Sequence, residues 1–199
     1  MSEQQEALWI QGALHGDDQA FGKLVEAFQK PVFSLCYRML GNSRDAEDAA
    51  QESFIRAYRY LKKYDVNRSF ATWLLSIAAH YCIDQMRKRR LPIISTDSLP
   101  AEIIQDRNAP NPESEFRQSE KEVRIQNLIA KLKPTDRAAV ILRYWHEYSE
   151  VEIAQALDLT VSAVKSRLYR ARQSLAAAWI EEERRETINE RRVHESPAF

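Results

Sequence analysis

SEVEIAQALDLTVSAVKSRLYRAR, residues Ser149–Arg172, reads as two short helices joined by a tight turn, the second rich in cations. Ser149 with Glu152 three residues later is a capping box and starts the first helix. Val151 or Ile153, with Ala154 and Leu157, supplies its apolar face. Asp158 stands where such turns often carry glycine, and aspartate is among the few other residues that tolerate a left-handed backbone. Thr160 is placed to cap the second helix, with Val161, Val164 and Leu168 expected to face inward. Lys165, Arg167, Arg170 and Arg172 follow with no acid among them. A cationic run on a helix is often only a solvated face. Behind a capped helix and a tight turn, it reads as a helix–turn–helix aimed at a DNA major groove.

Outward from this stretch, the 199 residues hold only four glycines, while Ala, Leu, Glu, Arg and Gln dominate long segments, so the expected fold is all-α. Four of the seven prolines (Pro92, Pro100, Pro110 and Pro112) fall between Leu91 and Glu115, a stretch in which five acids face Arg107 alone. No helix crosses such a segment. The chain therefore divides into a helical domain at 1–90, a flexible acidic linker at 91–115, a second small helical domain at 116–180, and a charged extension at 181–199. Helices are expected over Glu6–His15, Asp17–Leu40, Ser43–Tyr64, Ser69–Arg90, Phe116–Leu132, Pro134–Glu147, Ser149–Leu157 and Val161–Glu186. A pair such as Glu181–Arg185 would support the last as a solvated extension with a frayed end.

Net charge is zero, so affinity for nucleic acid has to come from local patches. Cys36 and Cys82 stand alone in helical segments and are expected to be buried as small apolar residues. His15, His80, His146 and His194 are scattered, and no metal-ligand spacing, phosphate loop or nucleophile elbow occurs, which argues against an enzyme, a metal site, a cofactor or a small-molecule substrate. Without a signal peptide or an apolar run of membrane-spanning length, the expected location is cytoplasmic.

Two N-terminal stretches carry further information. In DAEDAAQESFIRAYRYL, residues 45–61, Ala46, Ala49, Ala50, Phe54, Ala57 and Leu61 form a buried stripe. Asp48, Gln51, Glu52 and Ile55 lie towards another face. The helix dipole accounts for the early acids, but not for an apolar Ile55 among polar neighbours, a pattern that suits docking. In KKYDVNRSFATWLLSIAAHYCIDQMRKRR, residues 62–90, cations and aromatics alternate before a basic terminus. That mixture suits single-stranded nucleic acid, whose bases stack on rings while cations follow phosphates. Trp73 reads equally well as a core residue.

These blocks, in the order DAED..QE.F, F.TWL..IA with a basic run, a proline-bearing linker, and LRY....S..EIA..L.....AVKSRL.RAR, resemble the bacterial RNA polymerase sigma factors of the extracytoplasmic-function (ECF) group. The resemblance spans residues 19–179 and implies a sigma-2-like and a sigma-4-like domain that direct promoter-specific initiation. It assigns binding of the largest-subunit clamp helices of core RNA polymerase to Asp48, Gln51, Glu52 and Ile55. Single-stranded minus-10 DNA would meet Lys62, Lys63, Arg68, Trp73, His80, Asp84, Arg87, Lys88, Arg89 and Arg90. The minus-35 duplex would be read by Lys165, Ser166, Arg167, Tyr169 and Arg170. The implied partners are core polymerase, including its flap region, promoter DNA, and an anti-sigma factor, in many cases membrane-bound. His80 departs from the asparagine common at its position, which changes the donors and acceptors offered to a minus-10 base. A stand-alone helix–turn–helix regulator with an N-terminal sensor or dimerisation domain is the alternative reading. It leaves the 45–90 blocks without a purpose, and a pure adaptor leaves both basic surfaces unexplained.

Overall fold

The computed structural model describes residues 2–90 and 120–194, and every regular element among them is helical. The linker expected at 91–115 lies outside the described residues, as do the expected first turn of the next helix and the final five residues. In chain order the helices are α1 (Glu3–Leu14), α2 (Asp18–Leu40), α3 (Ser43–Tyr60), α4 (Phe70–Arg90), α5 (Glu120–Ala130), α6 (Pro134–Trp145), α7 (Glu150–Leu157) and α8 (Val161–His194).

Local chemistry sets most of the boundaries. Ser2 and Gln5 cap α1 reciprocally, and the Asp17 carboxylate accepts from the Gln19 and Ala20 amides at 2.9 and 3.1 Å to open α2. Gly41, at φ 89°, closes α2 in the left-handed region, its N–H donating to the Tyr37 carbonyl at 2.8 Å. Asn42, one residue before the expected Ser43, caps α3 by accepting from the Asp45 amide at 2.8 Å. The helix expected to reach Tyr64 gives way after Tyr60 to a 3-10 turn at Leu61–Lys63.

The signature stretch forms as read. Ser149 Oγ accepts from the Glu152 amide at 3.2 Å, and the Glu152 carboxylate accepts from the Ser149 amide at 2.8 Å. The Ser149 hydroxyl, which donates to the same carboxylate at 2.7 Å, and then the Ser149 amide hold the Glu152 carboxyl below its usual range. Asp158 takes φ 53°, and Thr160 Oγ1 accepts from the Ala163 amide at 3.2 Å. Of the two candidates for the inner face of α7, Ile153 is fully buried and Val151 is 54% exposed. Val161, expected inside, is instead 36% exposed, because the first turn of α8 projects beyond the body that buries Val164, Leu168 and Ala171.

Of the expected α3 stripe, Ala46, Ala49, Ala50, Ala57 and Leu61 are buried and Phe54 is half-buried, and Ser53 joins the buried set. Its hydroxyl is satisfied within the helix by donating to the Ala49 carbonyl at 2.6 Å. Cys36 and Cys82 are free and fully buried, and a hydrogen bond between them, followed by burial, pushes the Cys82 thiol up. The halves on either side of the linker pack together, α4 against α6 and α7, and α2 against α5 and α6, so their cores are continuous. Gln126 of α5 donates to the Tyr37 and Arg38 carbonyls at 3.2 and 3.3 Å, satisfying last-turn acceptors of α2. The Arg38 guanidinium lies 4.7 Å from the centre of the Trp145 ring. The boundary expected at 180/181 falls inside α8, which runs past the expected Glu186 to His194.

Candidate nucleic-acid and partner interfaces

α2 and α3 enclose an open groove of about 890 Å³ whose walls include Phe21, Val25, Phe33, Ala50, Phe54 and Ile55. Ile55 is 39% exposed, and Gln51 also lines the groove. Asp48 is exposed on the same helix outside the lining, and Glu52 pairs with Arg56 at 2.7 Å. Arg56 in turn lies over the Tyr81 ring at 4.8 Å, tying α3 to α4. Of the four α3 residues expected to dock, Gln51 and Ile55 line the groove and Asp48 and Glu52 do not, and the α2 wall was not anticipated, although Phe21, Val25, Gln29 and Phe33 recur every four residues, the spacing of one helical face. Glu47, Lys30 and Arg59 add a charged rim.

A second surface runs along the loop before α4 and down that helix. Lys62, Lys63 and Arg68 are exposed. The loop is held in shape by Tyr64, which donates its hydroxyl proton to the Arg68 carbonyl, and by Asp65 Oδ1, which accepts from both nitrogens of Asn67 at 3.0 Å. These Asn67 bonds keep the Asp65 carboxyl low, and Arg68 lies 3.5 Å from it. Trp73 is half-buried in an aromatic cluster, its ring centre 5.0 Å from Tyr64 and 5.6 Å from Phe70, so it belongs partly to the core and partly to the surface.

Trp73, His80, Asp84 and Arg87 follow at spacings of seven, four and three, which places them on one face of α4. His80 is exposed, and its Nδ1 lies 2.8 Å from the Ser76 carbonyl oxygen. A carbonyl only accepts, so Nδ1 carries the proton and a neutral His80 turns Nε2 outward as an acceptor. Asp84 and Arg87 are exposed and 3.9 Å apart. Lys88 is exposed, and Arg90 is the last residue of α4. Arg89 is tied back to the start of α3 by a 2.7 Å pair with Asp45. Partial burial raises the Asp45 carboxyl, but hydrogen bonds from Asn42 and Arg89 outweigh it and hold the group below its usual range.

The third surface is the front of α8. Lys165, Ser166, Tyr169 and Arg170 are exposed at the i, i+1, i+4 and i+5 positions of one face. Lys165 lies 3.7 Å from Glu150, and Tyr169 Oη accepts from Gln173 at 2.8 Å. Arg167 stands apart from this set. It is turned inward and donates through Nη1 to the buried Asp136 of α6 at 2.7 Å. Val161 and Ser162, in the exposed first turn, stand where helix–turn–helix proteins place base contacts. The inward expectation for Val161 hid that turn.

Two family models match the chain in succession. The Sigma-70 region 2 family matches residues 24–91, and Sigma-70, region 4 matches residues 122–175. The ECF RNA polymerase sigma factor SigW of Bacillus subtilis (strain 168) is 38% identical over 168 residues, covering 80% of this chain and 89% of that one. This chain belongs to the ECF sigma factors. The ECF RNA polymerase sigma-E factor of Escherichia coli (strain K12) is 34% identical over 182 residues, 88% of this chain and 95% of its own. Among solved structures, CnrH in complex with the cytosolic domain of CnrY matches with a TM-score of 0.65 at 24% identity, covering 89% and 98% of the two chains. The sigma factor RpoE in complex with the anti-sigma factor NepR from Bartonella quintana matches at 0.58 and 19% identity, covering 78% and 93%. Both support the fold.

As an ECF sigma factor, the chain serves promoter-directed transcription, and its region 2 match sets aside the stand-alone regulator. Among the described residues no group of His, Cys, Asp and Glu is arranged to hold a metal ion. No helix among them is long and apolar enough to cross a membrane.

Proposed function

We propose that this ECF sigma factor binds core RNA polymerase through the α2–α3 groove, captures the minus-10 element as single strand along the loop and outer face of α4, and reads the minus-35 duplex with α8. The observation that carries the reading is the sequence of exposed Lys62 and Lys63, half-buried Trp73, and exposed His80, Asp84 and Arg87, the last four on one face of α4. It combines an aromatic platform, directional hydrogen-bond groups and cations along one line, as stacked and extruded bases with their phosphates require. Ile55 and Gln51 supply the apolar and polar parts of a docking site, and Asp48 offers a charge beside it. On α8, Arg170 and Lys165 have the reach for base edges or phosphates, each good bidentate base contact contributing about 1–3 kcal/mol of discrimination. Arg167, held by Asp136, fixes the seating of α8 on α6.

A smaller groove of about 370 Å³ between α5, α6 and α8 suits the polymerase flap region. An anti-sigma factor is the further partner, supported by the NepR complex of the similar RpoE. Run-off transcription with purified core polymerase on a genomic fragment library tests the whole reading. Specific start sites are expected only when this chain is added, with no gel shift of the same fragments by the chain alone. Random initiation regardless of the chain refutes it.

A further inference from the structure

The outward row of α4 runs Trp73, Ser76, His80, Asp84 and Arg87, at spacings of three and four residues. Two of its hydrogen-bond donors are spent inside the helix. The Ser76 hydroxyl donates to the Trp73 carbonyl at 2.7 Å, and His80 Nδ1, 2.8 Å from the Ser76 carbonyl oxygen, gives its proton there. What remains is one-sided. Ser76 Oγ keeps its lone pairs, a neutral His80 ring offers Nε2 as an acceptor, and the exposed Asp84 carboxylate only accepts. Ile77, half-buried on the same side, adds no polar group. Donors return only with Arg87, 3.9 Å from Asp84.

Spacing sets how a strand can use this row. Four residues of helix advance about 6 Å, against about 3.4 Å between stacked bases. Neighbouring bases meet His80 and Asp84 together only when they are unstacked, as extruded bases are. Such a base turns a hydrogen-bonding edge to the protein. Adenine and cytosine carry an amino group there (N6 and N4), where guanine and thymine carry a keto oxygen (O6 and O4). An amino group donates to a row of acceptors. A keto oxygen in the same place sets acceptor against acceptor beside the Asp84 charge, with no proton left on Ser76, His80 or Asp84 to satisfy it.

We propose that α4 selects its strand by amino group. Neutral His80 and Asp84 each accept from an adenine N6 or a cytosine N4, and both disfavour guanine and thymine. This selection rests on the minus-10 reading of α4 proposed above. It also gives His80 a role of its own. An asparagine side chain carries both a donor and an acceptor and can turn either outward, whereas the Ser76 carbonyl fixes which nitrogen His80 presents.

In the test, holoenzyme assembled from core polymerase and the full chain selects strands from a random single-stranded pool at about pH 8, where an ordinary histidine ring is neutral. Wild type should enrich adenine or cytosine at two neighbouring positions. His80→Arg, which replaces an acceptor with donors, should turn one of them to guanine or thymine, and Asp84→Lys should turn the other. In a strand selected by wild type, hypoxanthine for adenine, or uracil for cytosine, exchanges that amino group for a keto oxygen. Each exchange should weaken wild-type binding about tenfold, the scale of one hydrogen bond made repulsive. Wild-type enrichment of guanine or thymine at these positions, equal binding of the exchanged strands, or a preference unmoved by both substitutions overturns the selection by amino group. Trp73→Ala and Arg87→Ala test the site itself. If both retain the selected strand as wild type does, the strand binds elsewhere, and the minus-10 reading of α4 falls together with its base choice.

Discussion

His146 gives the sharpest pH dependence the structure predicts. It follows the last residue of α6, at the seam where Arg38 of α2 meets Trp145, and its ring stands edge-on to Tyr148 at 6.3 Å. Its Nε2 is buried and finds no hydrogen-bond partner among the described residues. A proton there would place a cation in a poorly solvated site facing the Arg38 guanidinium. Burial first, and Arg38 second, lower its pKa from 6.5 to about 4. A depressed folded pKa contributes stability that is intact above the unfolded value and is lost as pH falls towards the folded one. Between about pH 7.5 and pH 5.5 the loss is about 1.3 kcal/mol, reaching about 3 kcal/mol below pH 4. The carboxyls that are held low, on Asp45, Asp65, Glu152 and Glu182, begin to matter only at the acid end of this range. Urea unfolding of the wild type and of His146→Phe, which keeps a ring against Tyr148, isolates the term. The wild type should lose about 1.3 kcal/mol across the window while the variant stays nearly flat. Parallel decline of both proteins would refute the assignment, because the titrating group would then lie elsewhere.

Three other outcomes are expected. Arg167→Ala should leave the Asp136 carboxylate buried and unpaired and cost about 2 kcal/mol in chemical unfolding, whereas Arg170→Ala should leave stability alone and weaken initiation at promoters with a minus-35 element. If Arg170→Ala instead abolishes binding to core polymerase, the roles of the two halves are misassigned. Asp48→Lys should reduce competition for core polymerase without changing the far-ultraviolet spectrum, and normal competition removes Asp48 from the docking face. Glu147→Gly should raise stability by up to about 1 kcal/mol, because Glu147 sits at φ 58° in the turn between α6 and α7, and a fall in melting temperature would show that its side chain matters more than its backbone strain.

How much was legible from sequence depended on how far apart the interacting groups lie along the chain. The Ser149–Glu152 box, the left-handed Asp158 and the Thr160 cap each join groups a few residues apart, where helix geometry alone dictates the partner. The all-helical fold and the family followed from such local signals repeated in order, and so did the exposed face of α4, whose spacing is that of a single helix. Sequence could not choose between Val151 and Ile153, or see Val161 turned outward, because a periodic pattern shows which residues share a face and not where the neighbouring helix ends. It counted Arg167 with the DNA contacts because Asp136 lies 31 residues away. Gln126 reaches the end of α2 from 88 and 89 residues away, and Glu182 reaches Lys131 from 51. Those partnerships, the α2 wall of the α2–α3 groove and the anchoring of the α8 extension on α5 exist only once the helices are packed. Which atoms then share a dry interface is set by shape and burial, which no spacing along one helix records.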